Sequence, residues 1–182
     1  IEIIVSLYSI KMTQKILVTG GTGYIGSHTV VELQESGYDV VIVDNLSNSS
    51  ITVLENIEKI TKGRPEFEKF DLTEKETTEN FFKRNPGIMA IVHFAASKAV
   101  EESVHIPLLY YRNNLISMMN LLECQIKFDV PYMVFSSSCT VYGQPDSLPV
   151  TEQSPRKDAE SPYGNTKRIS EDMMKDVISA NK

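Results

Sequence analysis

Residues 15–26, KILVTGGTGYIG, join a short apolar run to a cluster of glycines at three-residue spacing, Gly20, Gly23 and Gly26. Few patterns restrict a fold as much. The run reads as a buried strand and the residues after Gly23 as a helix, so the glycines occupy the turn between them. One glycine permits the tight turn. A second lets the backbone approach a pyrophosphate, and a third lets helix and strand pack closely. The amides and dipole at the helix N-terminus then favour an anion. A glycine-rich turn without a ligand has the same local sequence, so the decision falls to the next strand.

That strand, DVVIVD (39–44), ends in Asp44, 18 residues beyond Gly26 and 24 beyond Gly20. A carboxylate at this place accepts both ribose hydroxyls and repels a 2′-phosphate, which favours NAD over NADP. Asn45, Leu46, Ser47, Asn48 and Ser49 follow and bring short polar side chains to the adenosine end. The third strand, expected over 66–71, closes at Asp71, which can contact adenine or stand as a solvated loop acid.

The alternation continues. Helices are expected over 23–36, 50–61, 74–84 and 106–128, with Pro107 in the first turn of the last. Further strands are expected over 88–96 and 132–138, followed by a Pro-rich loop, 144–162, and a final helix. Five strand–helix alternations predict a doubly wound α/β sheet of parallel strands joined by right-handed crossovers. Ligands of such a sheet sit at the carboxyl ends of its strands, where the features named here fall.

The final helix begins in SPYGNTK, with Tyr163 and Lys167 four residues apart. In a helix this is an ordinary neighbouring pair, and alone it is weak evidence. Its context is the fifth strand, which ends in Ser136, Ser137 and Ser138. A phenol titrates near ~10 in water, and an adjacent ammonium favours the phenolate. Tyr163 is therefore expected to exchange a proton with a sugar hydroxyl as hydride moves to the nicotinamide. Lys167 would hold the nicotinamide ribose. One serine would bridge tyrosine and substrate, and Ser138 is assigned that place; the other two are assigned to strand-end hydrogen bonds.

Composition narrows the alternatives. A 182-residue chain is long enough for one domain with a core, and 41% hydrophobic with 23% charged residues is ordinary for a globular protein. A net charge of −6 with no basic cluster argues against nucleic acid as a partner. Cys124 and Cys139 lack metal-ligand spacing and are read as reduced thiols of a cytoplasmic protein. No metal is assigned: His28 reads as lying on the first helix surface or in its packing, His93 as core at a strand end and His105 as lying just before the long helix. Residues 1–11 are too short to span a membrane and lack a secretory cleavage pattern. We read them as an upstream extension, with the domain over 12–182; an extra edge strand or a helix packed on the surface is the alternative.

Six segments in order, VTGGTGYIGSHT, VDNLSNS, VHFAASKAVEES, YYRNN, FSSSCTVYG and SPYGNTK, resemble the extended short-chain dehydrogenase/reductase superfamily. Within it, HFAASKAV and SSSCTVYG are similar to the UDP-glucose 4-epimerase family. The resemblance runs from about Lys15 to the C-terminus. It implies an NAD-dependent isomerase of galactose metabolism that oxidises C4 of UDP-glucose or UDP-galactose, rotates the 4-keto sugar and reduces it again. It places Tyr24 and Ile25 over the pyrophosphate, Asp44 to Ser49 around the adenosine ribose, and Asp71 with Leu72 at adenine. Phe94, Ala95, Ala96, Ser97 and Lys98 would line the cofactor, with Asn113 reaching it from the long helix. Ser138 and Tyr163 would face the sugar.

The resemblance further implies a homodimer through the 106–128 and 163–181 helices. It also implies a second, downstream region carrying the last strands and most of the nucleotide-sugar pocket, so that these 182 residues alone would be poorly active. Cys139 stands where many members have alanine. Related dehydratases need an Asp-Glu pair after the fifth strand, where this chain has Cys139-Thr140. Uronate epimerases and decarboxylases, or a cofactor-binding module without catalysis, are the remaining alternatives.

Overall fold

A computed structural model describes residues 14–180. The reading of residues 1–11 as an extension lies outside them. Five strands, β1 (Lys15–Thr19), β2 (Asp39–Asp44), β3 (Glu66–Lys69), β4 (Ile88–His93) and β5 (Tyr132–Phe135), form one parallel sheet in the order β3-β2-β1-β4-β5. The chain moves outward from β1 to β3, then returns to the other side of β1. The reversal opens a crevice at the carboxyl ends of β1 and β4, the place a doubly wound sheet offers a ligand.

Among the described residues six helices flank the sheet: α1 (Tyr24–Glu35), α2 (Thr52–Thr61), α3 (Lys75–Arg84), α4 (Val100–His105), α5 (Pro107–Lys127) and α6 (Pro162–Ala180). Side chains alternate across each strand, giving two cores. Leu17, Val41, Val43 and Ile91 pack with Phe81, Phe82 and Leu121 of α3 and α5. On the opposite face, Ile16, Val18, Ile42 and Val92 pack with Val30 of α1 and with Leu54 and Ile57 of α2. Each such side chain stabilises the fold by about 1.5–3 kcal/mol relative to exposure. The middle strands are buried almost throughout, whereas edge strand β5 exposes Tyr132 and Val134.

Three strands are shorter than the sequence pattern predicts, and in each case side chains capture backbone amides just beyond the predicted end. After β4, Phe94 N–H still reaches Thr19 O, but Ser97 and Ala99 N–H donate to Asn114 Oδ1 (2.8 Å) and Tyr110 Oη (3.2 Å). After β3, Asp71 accepts from Thr73 N–H (2.9 Å), a turn that puts Asp71 beyond the strand instead of at its end. After β5, Ser138 caps a 3-10 turn, Cys139–Tyr142, by accepting from Thr140 N–H. The long helix predicted over 106–128 is preceded by the separate helix α4, which ends at His105.

Candidate active site

The glycine turn is built by backbone contact. A Cβ on Gly26 would stand 2.2 Å from Gly20 O, and one on Gly20, whose φ is +70°, would stand 2.7 Å from Ala95 N. Helix α1 is thereby drawn against β1, and β1 against the segment after β4. No side chain caps α1 at Gly23, which leaves the helix end for a ligand. Tyr24 and Ile25 lie at this mouth, 78% and 59% exposed.

Asp44 ends β2 beside the turn. Its carboxylate accepts from Thr22 N–H (3.2 Å), Leu46 N–H (2.9 Å) and Ser49 Oγ (3.3 Å), and Thr22 Oγ1 lies 2.7 Å from Ser49 Oγ. The loop is wound tightly enough to put Leu46 at φ 60°, a left-handed conformation that costs a non-glycine residue about 1 kcal/mol or more. Asn45 Nδ2 donates to Asp71 Oδ2 (3.0 Å) and Ser47 N–H to Asn45 Oδ1 (2.9 Å), so the ends of β2 and β3 are tied together. Burial raises the Asp71 carboxyl, but hydrogen bonds from Thr73 and Asn45 outweigh it and leave the group below its ordinary range. Leu72 is core; its carbonyl accepts from Asn120 Nδ2 (2.8 Å). This set fits a dinucleotide: a cradle that a Cβ would fill, an uncapped helix end and a carboxylate one strand away.

On the other side of the crevice, the Phe94–Lys98 segment hangs from α5. Asn114, 4% exposed, accepts from Ser97 N–H and donates to Ser97 O (3.0 Å) and Thr166 Oγ1 (3.0 Å). Asn113 Nδ2 donates to Ser97 Oγ (3.1 Å) and Asn114 Oδ1 (3.0 Å). Thr166 donates in turn to Tyr163 O (2.7 Å). The segment after β4 is thus joined through α5 to the first turns of α6. Lys98 is exposed on that segment.

Helix α6 starts with Pro162 after buried Ser161, whose Oγ accepts from Gly164 N–H (3.1 Å), a strong start signal. Gly164 lets the helix sit on the 3-10 turn: a Cβ there would lie 3.0 Å from Thr140 Cβ. Lys167, 4% exposed, donates to Ser136 O (2.7 Å), and its Nζ lies 5.9 Å from the Tyr163 ring centroid. Burial pushes Lys167 down to about 8. Ser137 Oγ donates to Glu171 Oε1 (2.5 Å), a structural role of the kind expected for two of the three serines. Ser138 Oγ accepts from Thr140 Oγ1 (3.0 Å) at the neck of the same turn.

The structure therefore places Ser138 on the turn after β5, and Tyr163 and Lys167 on the helix packed against that turn. It also shows positions that sequence patterns did not select: Asn114, Thr166, Gly164, Ser161 and the Ser136 carbonyl. Only Ser161 left a local signal, as a serine before Pro162. His93 is core, 2% exposed, and burial, with the charge of Lys167, pushes it down to about 3. His28 is exposed against Tyr24 (ring centroids 5.1 Å). Both cysteines are free, Cys124 buried and Cys139 exposed. Among the described residues no cluster could hold a metal ion and no helix is long and apolar enough to cross a membrane.

The model of the NAD dependent epimerase/dehydratase family matches residues 16–182. The chain is 48% identical over 171 residues to a UDP-glucose 4-epimerase of Schizosaccharomyces pombe, covering 92% of this chain and 48% of that protein. It is 50% identical over 165 residues to the UDP-glucose 4-epimerase of Bacillus subtilis, covering 91% and 48%. The chain spans about half the length of the curated relatives it matches. Its fold is similar to that of UDP-glucose 4-epimerase from Bifidobacterium longum solved with NAD+ and UDP: TM-score 0.89, 44% identity, 91% of this chain and 49% of that one.

Proposed function

This chain belongs to the NAD dependent epimerase/dehydratase family, and from that premise we propose that it is the cofactor-binding half of a UDP-glucose 4-epimerase. The observation that carries the reading is the meeting of two constructions at one sheet edge. The glycine cradle with Asp44 lies on one side of the crevice, and Tyr163 with buried Lys167 on the other. Close relatives bearing the same name support it.

Bound NAD supplies the acceptor for hydride from C4 of the sugar and the donor that returns it. The first turn of α1, with Tyr24 and Ile25, holds the pyrophosphate. Asp44 accepts from the adenosine ribose, and the loop to Ser49 surrounds it. Asp71 lies toward adenine, with Leu72 contributing backbone alone because its side chain is core. Phe94 to Lys98 and Asn113 line the middle of the site. Tyr163 takes the C4 hydroxyl proton and gives it back after the keto sugar has rotated. Ser138 orients that hydroxyl, and Lys167 holds the nicotinamide ribose. In this reading the sugar and uridine contacts come mainly from the part of the relatives that the chain does not span, and the 182 residues alone turn over UDP-galactose slowly.

The parent protein is proposed to act in the cytoplasm as a homodimer. Helices α5 and α6 pack on one another, and Leu108, Leu109, Met119 and Ile178 stay exposed on them; a second copy would cover that apolar surface. Tyr163→Phe in the full-length enzyme tests the central claim. C4 epimerization should fall by about 10²-fold or more, with NAD still bound. Epimerization at the parental rate would show that Tyr163 does not transfer the proton.

A further inference from the structure

The last paired row of three neighbouring strands ends beneath the catalytic helix. Thr19 on β1 is in register with His93 on β4, and His93 with Phe135 on β5. The three side chains therefore share one face of the sheet. They also touch in sequence. Thr19 Oγ1 and His93 Nδ1 are 2.7 Å apart, and the His93 and Phe135 rings stack with centroids 5.8 Å apart and planes 24° apart. At the end of this row Lys167 Nζ stands over the Phe135 ring, 4.6 Å from its centroid and closer than to the ring of Tyr163. The hydrogen bond to Ser136 O uses one of three ammonium donors.

We propose that Phe135 is a positioning residue for Lys167: its ring face seats the buried ammonium, keeps it charged and directs it to the Tyr163 side of the crevice. His93 is the neutral backing that sets the angle of the ring. The proposal rests on the role given to Lys167 above and deepens it. An aromatic face attracts a cation most where water is excluded, and Lys167 is 4% exposed. Burial alone lowers the lysine, so an attraction specific to the charged form opposes that cost. A protonated His93 would defeat the arrangement, and its burial holds it neutral.

The other groups facing Lys167 are few. Tyr163 faces it from the same helix, and His93 from β4. Glu171, one turn along α6, is held by Ser137 Oγ and by Arg156 Nη1 (3.5 Å). From α5 the neighbouring group is the neutral amide of Asn114, spent on Thr166 and Ser97.

The test titrates Lys167 directly in the chain carrying ¹³C at lysine Cε, with the signal assigned by its loss in Lys167→Arg. Phe135 is replaced by mono- and trifluorinated phenylalanine, which preserve shape while draining the ring face of negative potential. The lysine midpoint should fall stepwise with fluorine content, by about one pH unit at the trifluoro ring. Phe135→Leu should lower it at least as far and Phe135→Tyr should leave it at the parental value. Repeating the series in a Tyr163→Phe background removes the phenol's own titration. A midpoint indifferent to fluorine, or raised by it, overturns the proposal. The titration needs no sugar substrate, so it can fail while the epimerase reading stands, and the reverse.

Discussion

The two sides of the crevice are made by different means. On the β1–β2 side, backbone meets backbone: Gly26 stands against Gly20 O, with no room for one added carbon. On the β4–β5 side, single side chains hold the backbone: Asn114 on Ser97, Lys167 on Ser136 O, and Tyr110 on Ala99 N–H. The first side lies on buried central strands, the second on an edge strand whose outer face is open at Tyr132 and Val134. A site built by close approach fails when an atom is added. A site built by bridging fails when one is removed, and only by the worth of the bridge.

Gly26→Ala should break the first side outright. Its methyl would sit 2.2 Å from a carbonyl oxygen that belongs to a fixed turn, so α1 must leave β1. We expect at least about 4 kcal/mol of destabilisation and loss of dinucleotide binding, read by guanidinium unfolding and by NAD titration calorimetry. Acid should expose the second side. His93 is depressed to about 3 in the fold and returns to about 6.5 when unfolded. Its contribution is complete above about 6.5 and is lost as pH falls toward 3, by up to about 5 kcal/mol. Unfolding free energies across that window, compared with His93→Leu, isolate it, because the variant should lack this part of the acid slope.

Asn114→Ala sharpens the contrast. It removes the bridge from Ser97 to Thr166 and leaves buried partners unpaired, for about 2–3 kcal/mol. The damage should be local, with amide exchange quickened at Ser97 and the first turns of α6 while Gly20 to Gly26 stay protected. Equal loosening on both sides would show that the crevice behaves as one unit.

The same difference explains what the sequence could disclose. A backbone cradle needs glycine at fixed spacing, so Gly20, Gly23, Gly26 and Asp44 were legible in one short window. Bridges across long stretches of chain leave no such mark. Asn113 was selected from its motif, but the residue that joins the Ser97 loop to α6 is Asn114, through partners 17 and 52 positions away. Patterning also overruns the strand ends at His93 and Phe135, since it does not show where the chain turns out of the ladder, as Ser137 N–H does in donating back to Phe135 O. Gly164 read as part of SPYGNTK, while its reason is the approach of Thr140. Phe135 reads only as part of the fifth strand, and its contact with Lys167 exists only once α6 folds back over β5.

Lys167 offers the smallest effect and the clearest separation of function from stability. Its burial lowers it from 10.5 to about 8, so at neutral pH the folded chain holds a charge the unfolded chain solvates more easily. Between about 8 and 10.5 the unfolded state binds the proton and the folded state does not, so this cost fades as pH rises through that window. Lys167→Met retains the aliphatic length and removes the charge, at the expense of the hydrogen bond to Ser136 O and of the ammonium's contact with the Phe135 ring. The cost of desolvating the ammonium exceeds the worth of these contacts, and the variant should be more stable than its parent by about 1 kcal/mol at pH 7. The advantage should shrink as pH rises from 8 to 10.5. Denaturant midpoints at pH 7 and 10 measure both the gain and its loss. A variant less stable than the parent at pH 7 would mean that Ser136 and Phe135 offset the burial of the ammonium, and that this corner is held by its charge.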